Sequence, residues 1–288
     1  MTSSKIILLV LVLNLVSTVV LAHQRIENKT DAKVHGEATY LGNEGVMITG
    51  NGRKILFDPF FHNDYGYYQL VPEPIRQAMF KGEKPYDNID VVFISHAHGD
   101  HFSAEDLRQF MQAQPKVKLV APKQAVDKLA ELNMTKNLMK RVTSVSLKYG
   151  EKPWSYTIDN LLVEAVRIPH SGWPSRAEVE NIVFRVTLNA LNDNKAAADK
   201  LTVMHMGDAD ANDSHYIPYQ TYWQHRVTNT AFPPYWFFLS EQGNAILDKR
   251  INAKQTIGLH VPVNVPPELK ATGKHFFSVV EEKADLGL

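Results

Sequence analysis

The sequence predicts an α/β fold with two sheet layers, on three observations. Short strand-like runs recur along most of the chain, helix-like segments fall between them, and tight turns link the strands of the first third. Strands interleaved with helices bury their apolar faces between layers and not in a helical bundle. Tight turns join antiparallel neighbours, so a simple doubly wound parallel sheet fits poorly. With 288 residues, 44% of them hydrophobic, one large domain has ample material for a core.

Taken in order, the first strands are read over Ala38 to Leu41, Gly45 to Ile48 and Lys54 to Phe57. Asn51-Gly52 between the last two is a strong two-residue hairpin signal. Val91 to Ile94 is a continuous apolar run suited to a buried strand. Ser103 to Gln112 reads as a helix, with Ser103 as its N-cap and Asp106 three residues on. A strand over Val117 to Val120 and a helix over Lys123 to Leu132 follow. Further strands are expected over Ser144 to Leu147, Trp154 to Ile158, Leu161 to Ile168, Ile182 to Thr187, Leu201 to Met206, Trp236 to Leu239 and Thr256 to Leu259.

The N-terminus has a different character. Lys5 precedes a 17-residue apolar run from Ile6 to Ala22, and the small residue at Ala22 offers a cleavage site before His23. Residues 1–22 are therefore expected to be a signal peptide and 23–288 the functional domain, located in the periplasm or outside the cell. The competing reading is a retained anchor, for which the run is short against the roughly 20 residues of a spanning helix; no stable span remains if the leader is cleaved. The full chain has 31 basic and 31 acidic residues; removing the leader takes away Lys5 and no acid, which leaves a net charge of −1. Such a neutral chain does not read as a nucleic-acid-binding protein. Cysteine is absent, so no disulfide framework exists. Neither glycine-rich phosphate loop pattern occurs, which removes support for nucleotide chemistry.

Chemistry concentrates directly after the run Val91 to Ile94, in Ser95-His96-Ala97-His98-Gly99-Asp100-His101. Imidazole nitrogen and carboxylate oxygen are good ligands for zinc and similar cations. Alternate residues of an extended segment project to one side, so His96 and His98 can reach one ion together. The turn at Gly99 then lets Asp100 and His101 face a neighbouring position. A polar turn with each side chain separately satisfied is the plain alternative, and the density of ligand types argues against it.

This H-x-H-x-D-H run resembles the signature of the metallo-β-lactamase superfamily, and the resemblance extends over about Gly36 to Pro262. It implies a four-layer αβ/βα sandwich. Further positions fall in the family's order: Asp58 after Ile55-Leu56-Phe57, His170 after Val163 to Ile168 and Pro169, Gly207-Asp208 after Leu201 to Met206, and His260 after Thr256 to Leu259. By this resemblance His96, His98 and His170 hold one metal. Asp100, His101 and His260 hold a second, Asp208 bridges the two, and Asp58 orients the ligand loop without touching metal. Two zinc ions are implied, with iron or manganese as substitutes suited to the same donors.

The implied activity is hydrolysis of an ester, lactone or phosphodiester by a water ionised between two cations, with Asp208 and Asp100 as the catalytic carboxylates. His205, three residues before Asp208, faces away and is read as packing. The early strand ending in Asp58-Pro59 is similar to the branch containing L-ascorbate-6-phosphate lactonase and N-acyl phosphatidylethanolamine phospholipase D. Retention of both His101 and Asp208 argues against a β-lactam hydrolase. The rival from another class is a non-catalytic metal- or partner-binding protein on the same fold. The aromatic stretches Phe60 to Tyr68 and Tyr216 to Phe238, and Trp173 and Ser175 beside His170, are candidate walls for a small-molecule or lipid-like substrate. His62 and His215 sit in loops able to border the site.

Overall fold

A computed structural model of the protein describes residues 36–189 and 200–286; the expected leader, residues 1–22, lies outside them. The chain begins as an antiparallel meander of β1 (Gly36–Gly42), β2 (Gly45–Gly50) and β3 (Arg53–Phe57). Asn51 and Gly52 turn β2 into β3 with φ of 52° and 73°, and Gly50 pairs with Arg53. Asn and Gly are the residues that tolerate two successive positive φ angles. β4 (Val91–Phe93), β5 (Lys118–Pro122) and β6 (Val142–Val145) then add in parallel. The second sheet starts with β7 (Trp154–Ile158), β8 (Leu161–Arg167), β9 (Ile182–Leu188) and β10 (Leu201–His205), all antiparallel. β11 (Thr228–Phe232) and β12 (Ala253–Thr256) extend it in parallel, and β13 (Lys283–Asp285) returns to pair with β1 of the first sheet.

Strand alternation sorts the apolar side chains into three cores. Ile55, Phe57, Val91 and Phe93 face inward and meet Val163, Phe184, Val186 and Val203 of the opposite sheet. Leu56, Val92 and Leu119 face outward instead. There they bury the apolar stripes of α1 (Glu73–Lys81), α2 (Ala104–Ala113), α3 (Lys123–Ala130) and α4 (Lys136–Met139), through Met79, Phe110, Leu129 and Leu138. On the far side Val166, Val183, Met204 and Ala231 pack against α5 (Gln220–Gln224), α6 (Trp236–Leu239), α7 (Glu241–Lys249) and α8 (Pro267–Ala271). Helix, sheet, sheet and helix thus make the four-layer αβ/βα sandwich.

Ser103 caps α2 by accepting a hydrogen bond from Asp106 N, as its sequence position predicts. Two expected strands are corrected. Trp236–Leu239 is helical, not extended. Pro233 and Pro234 lack the N–H groups that a sheet ladder needs, and the apolar run then coils with Phe237 N donating to Pro234 O at 3.1 Å. Periodicity cannot separate a buried helix from a buried strand over four residues. The last strand occupies Ala253–Thr256 instead of Thr256 to Leu259; Gly258 and Leu259 form only isolated bridges. β11 was hidden because Thr228-Asn229-Thr230 looks polar, yet all three are buried. Among the described residues no helix is long and apolar enough to cross a membrane.

Candidate metal centre

Five chain segments meet where strands of the two sheets end. Asp58 follows β3, His96 to His101 follow β4, His170 follows β8, Asp208 follows β10 and His260 comes four residues after β12. The sheets are tied together here, since Ile182 N donates to Ser95 O at 2.9 Å. His98 O accepts from His101 N at 3.1 Å and from Phe102 N at 2.9 Å, which folds the ligand-rich loop back on itself. That turn brings Asp100 and His101 beside His96 and His98 from a stretch of only six residues.

Three groups of ligand-type atoms lie close enough to hold an ion: His96, His98 and His170; Asp100, His101, Asp208 and His260; and Glu44, Asp58 and His205, of which the first two adjoin through Asp208. In the first, His96 Nε2 lies 3.1 Å from His98 Nδ1. In the second, His260 Nε2 is 3.3 Å from Asp100 Oδ2. Asp208 serves both. Its Oδ2 is 3.1 Å from His170 Nε2 and 4.0 Å from His96 Nε2, while its Oδ1 is 3.2 Å from both His101 Nε2 and His260 Nε2.

Asp58 stands behind this group. Its Oδ1 accepts from Ser95 N at 2.7 Å, and its Oδ2 from Ser95 Oγ at 2.5 Å and His101 Nδ1 at 2.9 Å. Holding Nδ1–H in this way turns His101 Nε2 toward Asp208, as carboxylates behind metal-binding imidazoles do. Asp208 is set by a sharp turn: Gly207 has φ of 52°, and a Cβ there would lie 2.5 Å from Asn181 Oδ1 and 2.7 Å from Ser95 Cβ. Asn181 clips the same turn, accepting from Asp208 N and donating to Ile168 O and Met206 O.

The charges are tightly coupled. Burial and the neighbouring His101 push His96 well below the ordinary imidazole range; burial and His170 take His98 down to about 4. Burial alone would raise Asp208, but His260 and His101 outweigh it and hold the carboxyl well below its usual range. Burial likewise opposes the charging of His260, yet Asp208 and Asp100 lift it to about 9.

The buried donor set fits divalent cations. His101 Nε2, His170 Nε2, His260 Nε2, Asp100 Oδ1 and Asp208 Oδ1 are buried with no hydrogen-bond partner. Unpaired polar atoms at this depth are costly unless something else binds them, and nitrogen and carboxylate oxygen suit zinc and its neighbours.

A cavity of about 380 Å³ opens onto the second cluster, lined by Tyr65, Tyr67, Tyr68, Arg176 and Glu178 besides His98, Asp100, Asp208 and His260. The expected walls are placed differently. Phe60 and Phe61 are core, whereas the tyrosines of the same stretch face the cavity. Of Tyr216 to Phe238, most aromatics pack in the outer core, and Trp236 sets its ring edge on His260. Trp173 stacks on Tyr149 and leaves the cavity wall to Arg176. His62 pairs with Asp106 and His215 with Tyr149, so neither lines it. His205 faces away from the clusters, against the Glu44 carboxylate at 3.0 Å and the Phe57 ring. Sequence reasoning missed Asn43, Glu44 and Asn181. Asn43 Nδ2 donates to Asp100 O and its O accepts from His260 N, a role hinted at only by the Gly-Asn-Glu-Gly turn.

Comparison with known proteins agrees with this architecture. A family described as beta-lactamase superfamily domain matches residues 37–221. A UPF0173 metal-dependent hydrolase of Aeropyrum pernix is 29% identical over 93 residues, a match that spans only 32% of each chain. The metallo-beta-lactamase fold protein YhfI of Bacillus subtilis superposes with a TM-score of 0.54 at 14% identity, covering 88% of this chain and all of its own. Igni18, a metallo hydrolase of Ignicoccus hospitalis, gives 0.53 at 14% identity, over 87% of this chain and 98% of its own. Since the matched family model spans residues 37–221, well over half of the chain, the chain belongs to the metallo-β-lactamase superfamily.

Proposed function

We propose that the protein is an exported metal-dependent hydrolase of an ester, lactone or phosphodiester, built on a centre for two cations. The observation that carries this reading is the two-sided placement of Asp208, one oxygen toward each ligand cluster. A protein that merely stores or displays one ion has no need of a shared carboxylate. The partial likeness to a relative called a metal-dependent hydrolase supports the same reading. When bound, such cations ionise water near neutral pH and polarise the oxygen of the scissile group.

The chain's own residues supply the rest. His96, His98 and His170 would hold one cation, Asp100, His101 and His260 a second, and Asp208 is placed to serve both. Asp58 locks His101 in orientation, and Asp100 Oδ1, facing no other donor, is free to hold the attacking water by a hydrogen bond. The tyrosines of the cavity favour a small substrate with an apolar portion over a polymer.

Elemental analysis of the purified protein is expected to give about two transition-metal ions per chain. The metal-loaded protein should cleave an aryl phosphodiester or a lactone and leave a cephalosporin largely intact, and Asp208→Ala should lose both metal and turnover. A metal-loaded protein inert toward the whole panel would favour the non-catalytic alternative. Efficient cephalosporin cleavage alone would make it a β-lactam hydrolase. Export is tested by N-terminal sequencing of native protein, which should begin near His23; a retained Met1 in the cytoplasmic fraction would refute it.

A further inference from the structure

One cavity residue has chemistry that neither cluster uses. Arg176 sits on the segment between His170 and β9, and its side chain lies over Gly172, with Cδ 3.4 Å from where a Cβ would stand. The segment is pinned around it. Val179 N donates to Arg176 O at 3.1 Å, Arg167 Nη2 to Ala177 O at 3.0 Å, and Gln124 Nε2 to Glu178 O at 2.7 Å. Arg176, an exposed side chain on this held backbone, lines the cavity that also holds Asp100 and Asp208, with Nη1 at the edge of His170.

Its donors are not consumed there. Nη1 comes within 3.5 Å of His170 Nδ1, but that nitrogen already faces Ser171 O at 2.6 Å and so carries its own hydrogen. Two donors cannot bond each other. Among the described residues Arg176 forms no ion pair, although Glu178 borders the same cavity. A planar fork of donors left open beside a reaction centre is suited to bidentate binding of a carboxylate or phosphate.

The geometry points to Arg176 as the specificity-determining residue, anchoring an anionic group on the non-reacting part of a small ester while the ester lies at the metal centre. The tyrosines opposite pack against the remainder of the substrate, and Glu178 limits how much negative charge the cavity accepts. This rests on the hydrolase reading above and narrows its substrate class to monoanionic esters.

The test compares p-nitrophenyl hydrogen glutarate with p-nitrophenyl butyrate, two acyl esters that differ in a terminal carboxylate. Metal-loaded wild type should prefer the glutarate ester. Arg176→Gln should lower kcat/KM for it by about 10- to 100-fold, mostly through KM, and leave the butyrate ester unchanged. Arg176→Lys should fall between, and Glu178→Gln should improve the glutarate ester. Calorimetric binding of monomethyl glutarate, a monoanion, and methyl butyrate, its neutral counterpart, to the same metal-loaded proteins gives a readout independent of turnover. If neither these esters nor the lactone and phosphodiester above are cleaved but Arg176→Gln abolishes a preference for monomethyl glutarate in binding, the hydrolase reading fails and the anchor stands. Equal affinity of wild type for the two ligands, an unchanged preference in Arg176→Gln, or loss of metal from that variant would overturn the anchor.

Discussion

His205 shows how a histidine outside the metal clusters can still be indispensable. Its Nδ1 accepts from Gly207 N at 3.3 Å, so Nε2 carries the hydrogen; it donates to Glu44 O at 3.0 Å, with the Glu44 carboxylate at the same distance, and both side chains are fully buried. Burial raises Glu44 despite this contact; Glu44 in turn raises His205 against burial. His205→Ala leaves Glu44 without its imidazole partner in the interior, and an unsatisfied buried polar group costs about 1–3 kcal/mol. We expect that loss in denaturant unfolding of chelated protein, with metal stoichiometry retained in the loaded form. A neutral effect on unfolding would show that Glu44 finds another partner.

The elements that present the ligands are short strands ending in sharp turns. β10 runs fully buried to His205 and then reverses at Gly207, where the positive φ and the adjacent Asn181 and Ser95 side chains admit no Cβ. Gly207→Ala must displace Asn181, the clip that holds Asp208 N, and so move the Asp208 carboxylate away from both clusters. The expected result is a fall in metal affinity of at least about tenfold, the lower range for disturbing a ligand's support. Competition with a metal-binding dye checks this, with circular dichroism to confirm that the sandwich remains folded. Gly52→Ala is the control for backbone strain alone, since its φ is also positive but a Cβ there meets nothing within 4 Å.

At the level of the molecule, the two sheets meet at the metal centre as well as through their core. Asp58 and His96 to His101 come from loops of the first sheet, and His170, Asp208 and the segment carrying His260 from the second. Bound cations would join the layers, so ligand-linked stabilisation is expected. A free metal concentration about 1,000-fold above Kd adds about 4 kcal/mol. For a domain of this size that is a shift of about 8–16 °C in Tm on loading, lost on chelation. A calorimetric scan that is the same with and without chelator would show that the clusters do not bind metal in the native state.

The H-x-H-x-D-H run, Asp58, His170, Asp208 and His260 were all legible in the sequence, since each ends a strand-like run and bears a side chain with few structural uses there. Strand alternation also disclosed the two-sheet architecture, because residues such as Leu56 and Val92 divide from Ile55 and Phe93 by local geometry alone. Other features depended on contacts between distant segments. Asn43, Glu44 and Asn181 are ordinary turn or strand-edge residues until folding places Asp100, His205 and Asp208 beside them. Trp236–Leu239 became a helix because the preceding prolines and the outer core outweighed a strand-like composition. The cavity wall was decided in the same way. Trp173 and Arg176 lie three residues apart on one loop, yet Trp173 packs against Tyr149 and His215 while Arg176 lines the cavity. Local chemistry named the ligands; burial and long-range hydrogen bonding chose what surrounds them.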